Sequence, residues 1–305
     1  MGGGSWTANA FRSYTVSKGM DVTNSGSIVG DYSAQEIFKS RNIDEKLNPY
    51  NVDRECCDTA EHPNTIPVIL ALDVTGSMGQ SAVEVAKQLN VIMTELYNKI
   101  NDVEFMIMGI GDFSYDLAPL QVSQFESDIR IAEQLDKIYF EGGGGGNQYE
   151  SYTAAWYFAA RHTKLDCLKR GKKGILITMG DETLNPYLPA ERVKRVIGDT
   201  NQADIETEAL YNEVINSYDV YHLAVDGHIN GKRNCYSRYA YKIQKTFGKY
   251  LDNEHLKVVS LDNIAEAIID IVTNCSANNT NITTDGNFNV TTFNVTTNDN
   301  NEITW

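Results

Sequence analysis

Residues 66–81 have the sequence IPVILALDVTGSMGQS, in which an apolar run is followed at once by a turn rich in side-chain oxygens. The run predicts a buried strand, and the turn places Asp73, Thr75 and Ser77 at alternate positions. Side chains two residues apart lie on the same side of an extended backbone, so these three can converge. One carboxylate and two hydroxyls suit a hard divalent cation such as Mg²⁺. The stretch therefore predicts a metal site at the carboxyl end of a strand.

A helix is predicted directly after this turn. Gly76 and Gly79 are expected to supply the permissive backbone that a tight turn needs. Residues 83–100 then carry apolar side chains at intervals of three or four, which predicts an amphipathic helix. The alternative is that the turn only caps this helix, as Ser and Asp often do. Capping requires one such residue, whereas three stand here in register after an apolar strand.

Strand and helix patterns alternate through the rest of the main region. Mostly apolar strands separated by helices predict a parallel sheet covered on both faces. The fold class is therefore α/β, with a doubly wound, mostly parallel six-stranded sheet and one short edge strand. Ligands of such sheets bind at the carboxyl ends of the strands. The predicted strands are 68–72, 104–110, 120–122, 174–178, 220–225 and 257–260, and the later helices are 128–137, 149–162, 189–197, 205–217, 236–247 and 264–272.

The chain divides into three regions by composition. Residues 1–64 are polar and turn-rich, and we expect them to form an N-terminal extension that packs on the main domain, with one short helix at 33–40 that Ser33 and Glu36 cap. Residues 65–274 form the main domain. Residues 275–305 are an Asn/Thr-rich C-terminal tail containing FNVTT twice, and such a tail is either flexible or adds strands to a neighbour.

Composition limits the compartment and the partners. The 305 residues are 42% hydrophobic and 22% charged, which is typical of a soluble globular protein. Neither a membrane-spanning run nor a signal region is evident, so we expect a cytoplasmic protein, virion-associated if phage-encoded, with no membrane contact. A net charge of −15 disfavours nucleic acid as a partner. Five cysteines without a C-x-x-C pair argue against a zinc cluster or a disulfide framework.

The D-x-T-x-S turn, followed by Met78 and Gly79, resembles the metal-ion-dependent adhesion site of the von Willebrand factor A (vWA) family. The resemblance covers roughly residues 66–274. It implies a vWA/Rossmann-like domain in which Asp73, Thr75 and Ser77 hold Mg²⁺, or Mn²⁺ or Ca²⁺. Two further loops are expected to complete the metal shell. A carboxylate of a partner protein is expected to take the last coordination position.

The second of these loops is the glycine-rich run EGGGGGNQYES at 141–151. Integrin β chains, a subset of the family, use a Glu there within D-x-P-E. Similarity to that subset implies a ligand role for Glu150 and a supporting role for Asn147, although the Asp and Pro are absent. The other interpretation is that Glu150 caps a helix starting near Tyr149, because an acid suits the positive end of a helix dipole.

The third loop is TMGDETLNP at 178–186. Met179 stands where the family usually has an Asp, so the resemblance favours Asp181 as the ligand, with a solvated loop acid as the alternative. Asp112, after the second strand, is a further supporting candidate, although a surface acid is the favoured interpretation there. Integrin β chains have extra acids for a second ion where this chain has Gln80 and Ser81. One metal ion is therefore expected.

These features predict a non-enzymatic, metal-dependent protein-binding module. A divalent ion with few anionic ligands still attracts a partner's acidic side chain. By analogy with family members, the partner is an AAA+ ATPase or another large assembly. One alternative is a haloacid-dehalogenase-type phosphotransferase or phosphatase with Asp73 as nucleophile, Asp181 and Glu182 as the acidic pair, and Lys172 or Lys173 as the cation. Another is a structural component of a phage or cell-surface assembly.

Overall fold

A computed structural model of the chain describes residues 4–76, 78–140, 149–229 and 232–280. Its centre is a six-stranded sheet, and the strands are β1 (Ile66–Asp73), β2 (Val103–Ile110), β3 (Leu120–Val122), β4 (Gly174–Gly180), β5 (Tyr218–Asp226) and β6 (Leu256–Ser260). Their order across the sheet is β6-β5-β4-β1-β2-β3. Neighbouring strands are parallel except β2 and β3, which are antiparallel. This confirms the predicted α/β fold with a doubly wound, mostly parallel six-stranded sheet and one short edge strand.

Helices cover both faces of this sheet. Buried residues form two clusters, one on each face. The helices are α1 (Ala8–Ser17), α2 (Ala34–Ile37), α3 (Gly79–Lys99), α4 (Arg130–Leu135), α5 (Tyr152–Arg161), α6 (Ala190–Val196), α7 (Thr207–Val214), α8 (Cys235–Phe247) and α9 (Ile264–Thr280). The first cluster contains side chains of α3, α4 and α9, and the second contains side chains of α5, α6, α7 and α8.

Strand β1 explains the continuous apolar run in the sequence. Leu70 and Leu72 belong to one buried cluster, while Ile69 and Ala71 belong to the other. Successive strand residues point to opposite faces, and both faces here are covered by helices. Every one of these side chains is therefore apolar, and the polar residues begin only where the strand ends at Asp73.

The N-terminal region contains one helix more than the sequence predicted. The α2 helix lies within the predicted 33–40 range and has the Ser33 and Glu36 capping box, but the ten-residue α1 was not anticipated. Its Phe11 packs against Trp6, whose Nε1 donates a 3.0 Å hydrogen bond to Asn90 Oδ1 on α3. Trp6 and Phe11 thus belong to the same buried cluster as side chains of α3.

Three predicted boundaries need correction. The helix predicted at 149–162 begins only at Tyr152, because Tyr149–Glu150 forms a short strand beside Thr183–Leu184. The helix predicted at 205–217 likewise loses its first residues, since Ile205–Glu206 pairs with Tyr187–Leu188. Helix α9 continues to Thr280, so the first six residues of the region assigned to the tail are helical. The rest of that region, including both FNVTT repeats, lies outside the described residues.

Several short elements complete the described structure. Within the four described stretches, no helix combines the length and apolar character needed to cross a bilayer. The remaining strand pairs are Asp21–Val22 with Ile28–Val29, Arg54–Cys56 with Thr163–Leu165, and His228–Ile229 with Lys232–Arg233, and the 3₁₀ helices are Glu45–Leu47, Asp166–Arg170 and Leu261–Asn263.

Candidate metal centre

The carboxyl ends of three adjacent strands bring acidic side chains to one edge of the sheet. Strands β4, β1 and β2 are neighbours, and each ends at or just before an Asp. A Glu from the second loop joins them because Tyr149–Glu150 pairs with the segment after β4. All four acids are buried, with exposed fractions of 1% for Asp73, 3% for Asp112, 3% for Glu150 and 0% for Asp181.

Asp73 is held at both carboxylate oxygens. Its Oδ1 accepts hydrogen bonds from the Thr75 backbone N at 2.9 Å and from Thr75 Oγ1 at 2.6 Å. Its Oδ2 accepts from the Tyr152 hydroxyl at 3.1 Å. The structure therefore brings Asp73 and Thr75 together, and the Thr75 oxygen still has lone pairs for an ion. Two other predicted site residues, Ser77 and Asn147, lie outside the described residues.

The carboxyl of Asp73 favours its protonated form in the ion-free protein. Burial first, and then the nearby Asp181 carboxylate, raise its pKa from 3.8 to about 8, although the hydrogen bonds from Thr75 act in the opposite direction. A buried carboxylate is costly to ionise without a compensating charge. A divalent ion would supply that charge and displace the proton.

Glu150 carries a buried oxygen with no hydrogen-bond partner among the described residues, its Oε2. Burial, followed by the Asp73 carboxylate, raises the pKa of Glu150 well above its ordinary value. The residue lies in a short strand, one position before the N-cap Ser151 of α5. The interpretation of Glu150 as a cap of a helix starting near Tyr149 is therefore wrong.

Asp112 has a similar orphaned oxygen. Its Oδ1 accepts from the Ser114 backbone N at 2.7 Å, while its buried Oδ2 has no partner among the described residues. The Asp112 backbone N donates to Asp116 Oδ2 at 2.7 Å, which holds the loop against the strand end. The favoured interpretation of Asp112 as an exposed surface acid is thus wrong, because tertiary packing covers it.

Asp181 is stabilised by the start of helix α8. Its Oδ2 accepts a 2.9 Å hydrogen bond from the backbone N of Cys235, the first residue of that helix. The positive end of a helix dipole favours a carboxylate in its charged form. The alternative of a solvated loop acid is wrong for this fully buried side chain.

Cys235 itself gave no signal in the sequence, yet it lies at the site. Its Sγ is 3.4 Å from Glu182 Oε1, so the thiol can donate to that carboxylate. Burial, together with Asp181 and Glu182, raises the pKa of Cys235 to about 12. Burial also raises the pKa of Glu182. Cys235 therefore remains a neutral thiol near pH 7.

Tyr152 and Gly180 are two further site residues that sequence reasoning missed. Tyr152 is fully buried and packs edge-on against His222, with ring centroids 5.0 Å apart. A Cβ on Gly180 would lie only 1.9 Å from the Tyr152 hydroxyl oxygen. Gly180 thus leaves the space in which Tyr152 reaches Asp73, a relation that no local sequence pattern encodes.

The two turn glycines, Gly76 and Gly79, differ in exposure. Gly76 is exposed. Gly79 is the first residue of α3, and a Cβ there would lie 3.2 Å from the Ala34 Cβ. Gly79 does not adopt a positive φ. Its small size therefore suits the close contact with Ala34 of the N-terminal region.

The donor set fits a hard cation that retains water ligands. No three His, Cys, Asp or Glu side chains of the described residues are close enough together to bind one ion directly. Asp73 and hydroxyls such as that of Thr75 would hold such an ion, and the buried carboxyls of Asp181 and Glu150 would add acidic groups around it. Mg²⁺ dehydrates reluctantly and commonly keeps several waters.

The lysines named for a phosphotransferase lie elsewhere. Lys172 and Lys173 immediately precede β4 at its amino end, whereas Asp73 lies at the carboxyl end of the adjacent parallel strand β1. A seven-residue strand spans roughly 20 Å, which separates the lysines from the acids. The phosphotransferase alternative therefore loses the cation assigned to it.

Comparisons with known proteins yield structural similarities alone. No protein-family model matches the chain, and no curated protein matches its sequence. The open conformation of the pilus adhesin SpaC from Lactobacillus rhamnosus GG is similar over 75% of this chain and 31% of SpaC, at 12% identity and TM-score 0.45. The chain thus spans about a third of SpaC. The vWF domain of the type V pili tip protein Mfa5 from Porphyromonas gingivalis is similar over 73% of this chain and 98% of that domain, at 12% identity and TM-score 0.41.

Proposed function

We propose that this chain is a non-enzymatic protein-binding module that uses a divalent cation, Mg²⁺ by preference, to bind a carboxylate of a partner protein. Asp73 and Thr75 hold the ion, together with Ser77, and Asp181 and Glu150 act on it through water. The partner contributes an exposed Asp or Glu side chain to the open coordination position. The partner's identity as an AAA+ ATPase or a component of a large assembly remains part of the proposal.

One observation carries this proposal: buried carboxylates gather at one edge of the sheet without a compensating charge. Among the described residues, Asp73, Asp112 and Glu150 make no ion pair with Lys, Arg or His within 4.0 Å. Buried charges are ordinarily paired or coordinate a metal. The oxygens without a hydrogen-bond partner, Asp112 Oδ2 and Glu150 Oε2, are also inaccessible to solvent. A divalent ion balances this cluster more completely than protons do.

The charge of such an ion also explains why the partner is acidic. With Asp73 as its one direct anionic ligand and hydroxyls and water as the others, a divalent ion keeps a net positive charge. A carboxylate from outside then replaces a water and neutralises the remaining charge. The overall charge of −15 would otherwise repel an acidic partner, so binding depends on the metal.

Calorimetric titration of Mg²⁺, Mn²⁺ and Ca²⁺ tests the metal site. We expect the wild-type chain to bind, and Asp73→Asn and Thr75→Val to bind at least tenfold more weakly. Asp270→Asn, on the exposed face of α9, is the matched control that should bind like the wild type. Unchanged binding in Asp73→Asn would remove the site from this position.

Capture of partners with and without a chelator tests the function. The wild-type chain and Asp73→Asn serve as baits, and bound proteins are identified by mass spectrometry. The expected result is a partner that binds the wild type in Mg²⁺ and is lost both in chelator and in the variant. A partner captured equally under all three conditions would overturn the metal-bridge mechanism even if an ion binds.

A further inference from the structure

A cavity lies at the opposite end of the sheet from the acidic cluster. Its volume is about 610 Å³, within the range of small-molecule sites. It is bounded by the amino ends of β1 and β4, the end of α3 and the last turns of α9. Its cationic lining residues are Lys99, Arg170, Lys172 and Lys173.

The charge of this cavity is opposite to that of the whole chain. Four cations and one carboxylate, Asp102, line it, while the chain carries a net charge of −15. Asp102 already accepts hydrogen bonds from His62 Nδ1 at 3.2 Å and from the Asn64 backbone N at 3.2 Å. The Asp102 carboxylate is thus already engaged by these donors. Arg170 is paired with Asp58, so the positive charge available to a ligand lies on the three lysines.

The three lysines have weak partners or none among the described residues. Lys172 makes no ion pair there, and the Lys173 Nζ is 3.9 Å from Asp219 Oδ1. Lys99 pairs only with Glu95, at 3.6 Å, where both side chains are about half exposed. Exposed pairs of this kind contribute little, so each ammonium can turn to a ligand at small cost.

Two further features point to a built site. Arg170 is fixed, because it donates to the Asp58 carboxylate and, at 2.8 Å, to the Thr65 carbonyl oxygen. Ile66 and Ile100 add apolar surface beside these groups. The lining therefore combines positive charge and an apolar wall.

We propose that this cavity binds a small organic phosphate, a molecule with one or more phosphate groups on a compact body. Lysine ammonium groups serve as point charges for phosphate. The apolar wall accommodates the organic part. A long nucleic acid is disfavoured, because it would extend beyond four cations onto an acidic surface.

Titration of adenosine 5′-diphosphate and of inorganic pyrophosphate into the full chain, in chelator, tests this site. We expect both probes to bind the wild type, and adenosine 5′-diphosphate to bind more tightly because its organic part meets the apolar wall. The double change Lys172→Gln and Lys173→Gln should weaken binding roughly tenfold or more, as expected for lost charge-assisted hydrogen bonds. Lys249→Gln, an exposed lysine after α8, is the control and should bind like the wild type.

A second variant and a second readout locate the binding. Lys99→Gln lies on a different element and should also weaken binding, whereas Asp73→Asn should not. Bound adenosine 5′-diphosphate should slow acetylation of Lys99, Lys172 and Lys173, followed by mass spectrometry, and leave Lys249 unprotected. Absence of binding by both probes, or equal weakening in Lys249→Gln, would overturn the proposal.

Discussion

The Tyr152 hydroxyl donates a 3.1 Å hydrogen bond to Asp73 Oδ2, the carboxylate oxygen that Thr75 does not contact. Tyr152 is the first residue of α5, and Asp73 is the last residue of β1. The carboxylate is therefore fixed from two elements at once. Supporting hydrogen bonds of this kind orient a metal ligand and affect how strongly it binds.

Replacement of Tyr152 by Phe should weaken both the fold and the metal site. The buried Asp73 Oδ2 would lose its partner, which costs on the order of 1–3 kcal/mol of unfolding free energy in chelator. Mg²⁺ affinity should fall about tenfold or more, because the carboxylate is no longer oriented. Urea unfolding and calorimetry measure these effects. Tyr241→Phe, at a side chain that is 78% exposed, is the control, and equal behaviour of the two variants would contradict the role of Tyr152.

The metal-free protein should lose stability as the pH rises. Asp73 has a pKa of about 8 in the folded chain and 3.8 as its ordinary value, so the folded state binds a proton that the unfolded chain releases. The stability contributed by that proton is fully present below about pH 4 and is lost as the pH rises to about 8. The Asn side chain of Asp73→Asn does not ionise, so the variant has no such proton to release. In chelator the variant should therefore be less pH-dependent than the wild type and more stable at pH 9.

Urea unfolding between pH 5 and pH 9 measures this difference, with Asp270→Asn as the exposed-acid control. Parallel pH profiles of the wild type and Asp73→Asn would show that ionisation of Asp73 costs no unfolding free energy in the metal-free protein. That outcome would also weaken the argument for a compensating cation.

The affinity for Mg²⁺ should rise with pH over part of the same range. An ion that binds the Asp73 carboxylate must displace its proton, so affinity increases by up to about tenfold per pH unit until the pH passes about 8. Calorimetry at pH 6, 7 and 8 measures the slope, and buffers of different ionisation enthalpy report the released proton. Affinity that is independent of pH would indicate that the ion is bound by other groups.

The fold could be predicted from sequence because its central strands β1, β2 and β4 are buried on both faces. Apolar runs such as that of β1 have no polar interruption, and the helices between them keep a clear period. Helix α1 was missed because only Phe11 and Thr15 of its side chains are buried, which leaves almost no pattern. The strand at Tyr149–Glu150 was missed because its partner, Thr183–Leu184, is distant in sequence.

The site was only partly predictable, for a related reason. Asp73 and Thr75 are neighbours in a local motif, so their spacing alone brings them together. Cys235 reaches Asp181 only through the placement of α8, and the burial of Asp112 depends on packing around its loop. Such relations arise in tertiary structure, and no short pattern in the sequence records them.

Replacement of Gly180 by Ala should disrupt the site through Tyr152. The new Cβ would lie 1.9 Å from the Tyr152 hydroxyl oxygen and 2.6 Å from its Cζ, and the Tyr152 ring is fully buried. We expect a loss of about 1–3 kcal/mol in unfolding free energy and weaker Mg²⁺ binding.

A control and a double variant identify the cause of this loss. Gly227→Ala should be nearly neutral, since its Cβ would lie 3.9 Å from Leu261 Cγ, an ordinary contact. Removal of the clashing oxygen by Tyr152→Phe in the Gly180→Ala background should cost less than the sum of the two single changes. Strict additivity of the two changes, measured by urea unfolding, would show that Gly180 acts through some other contact.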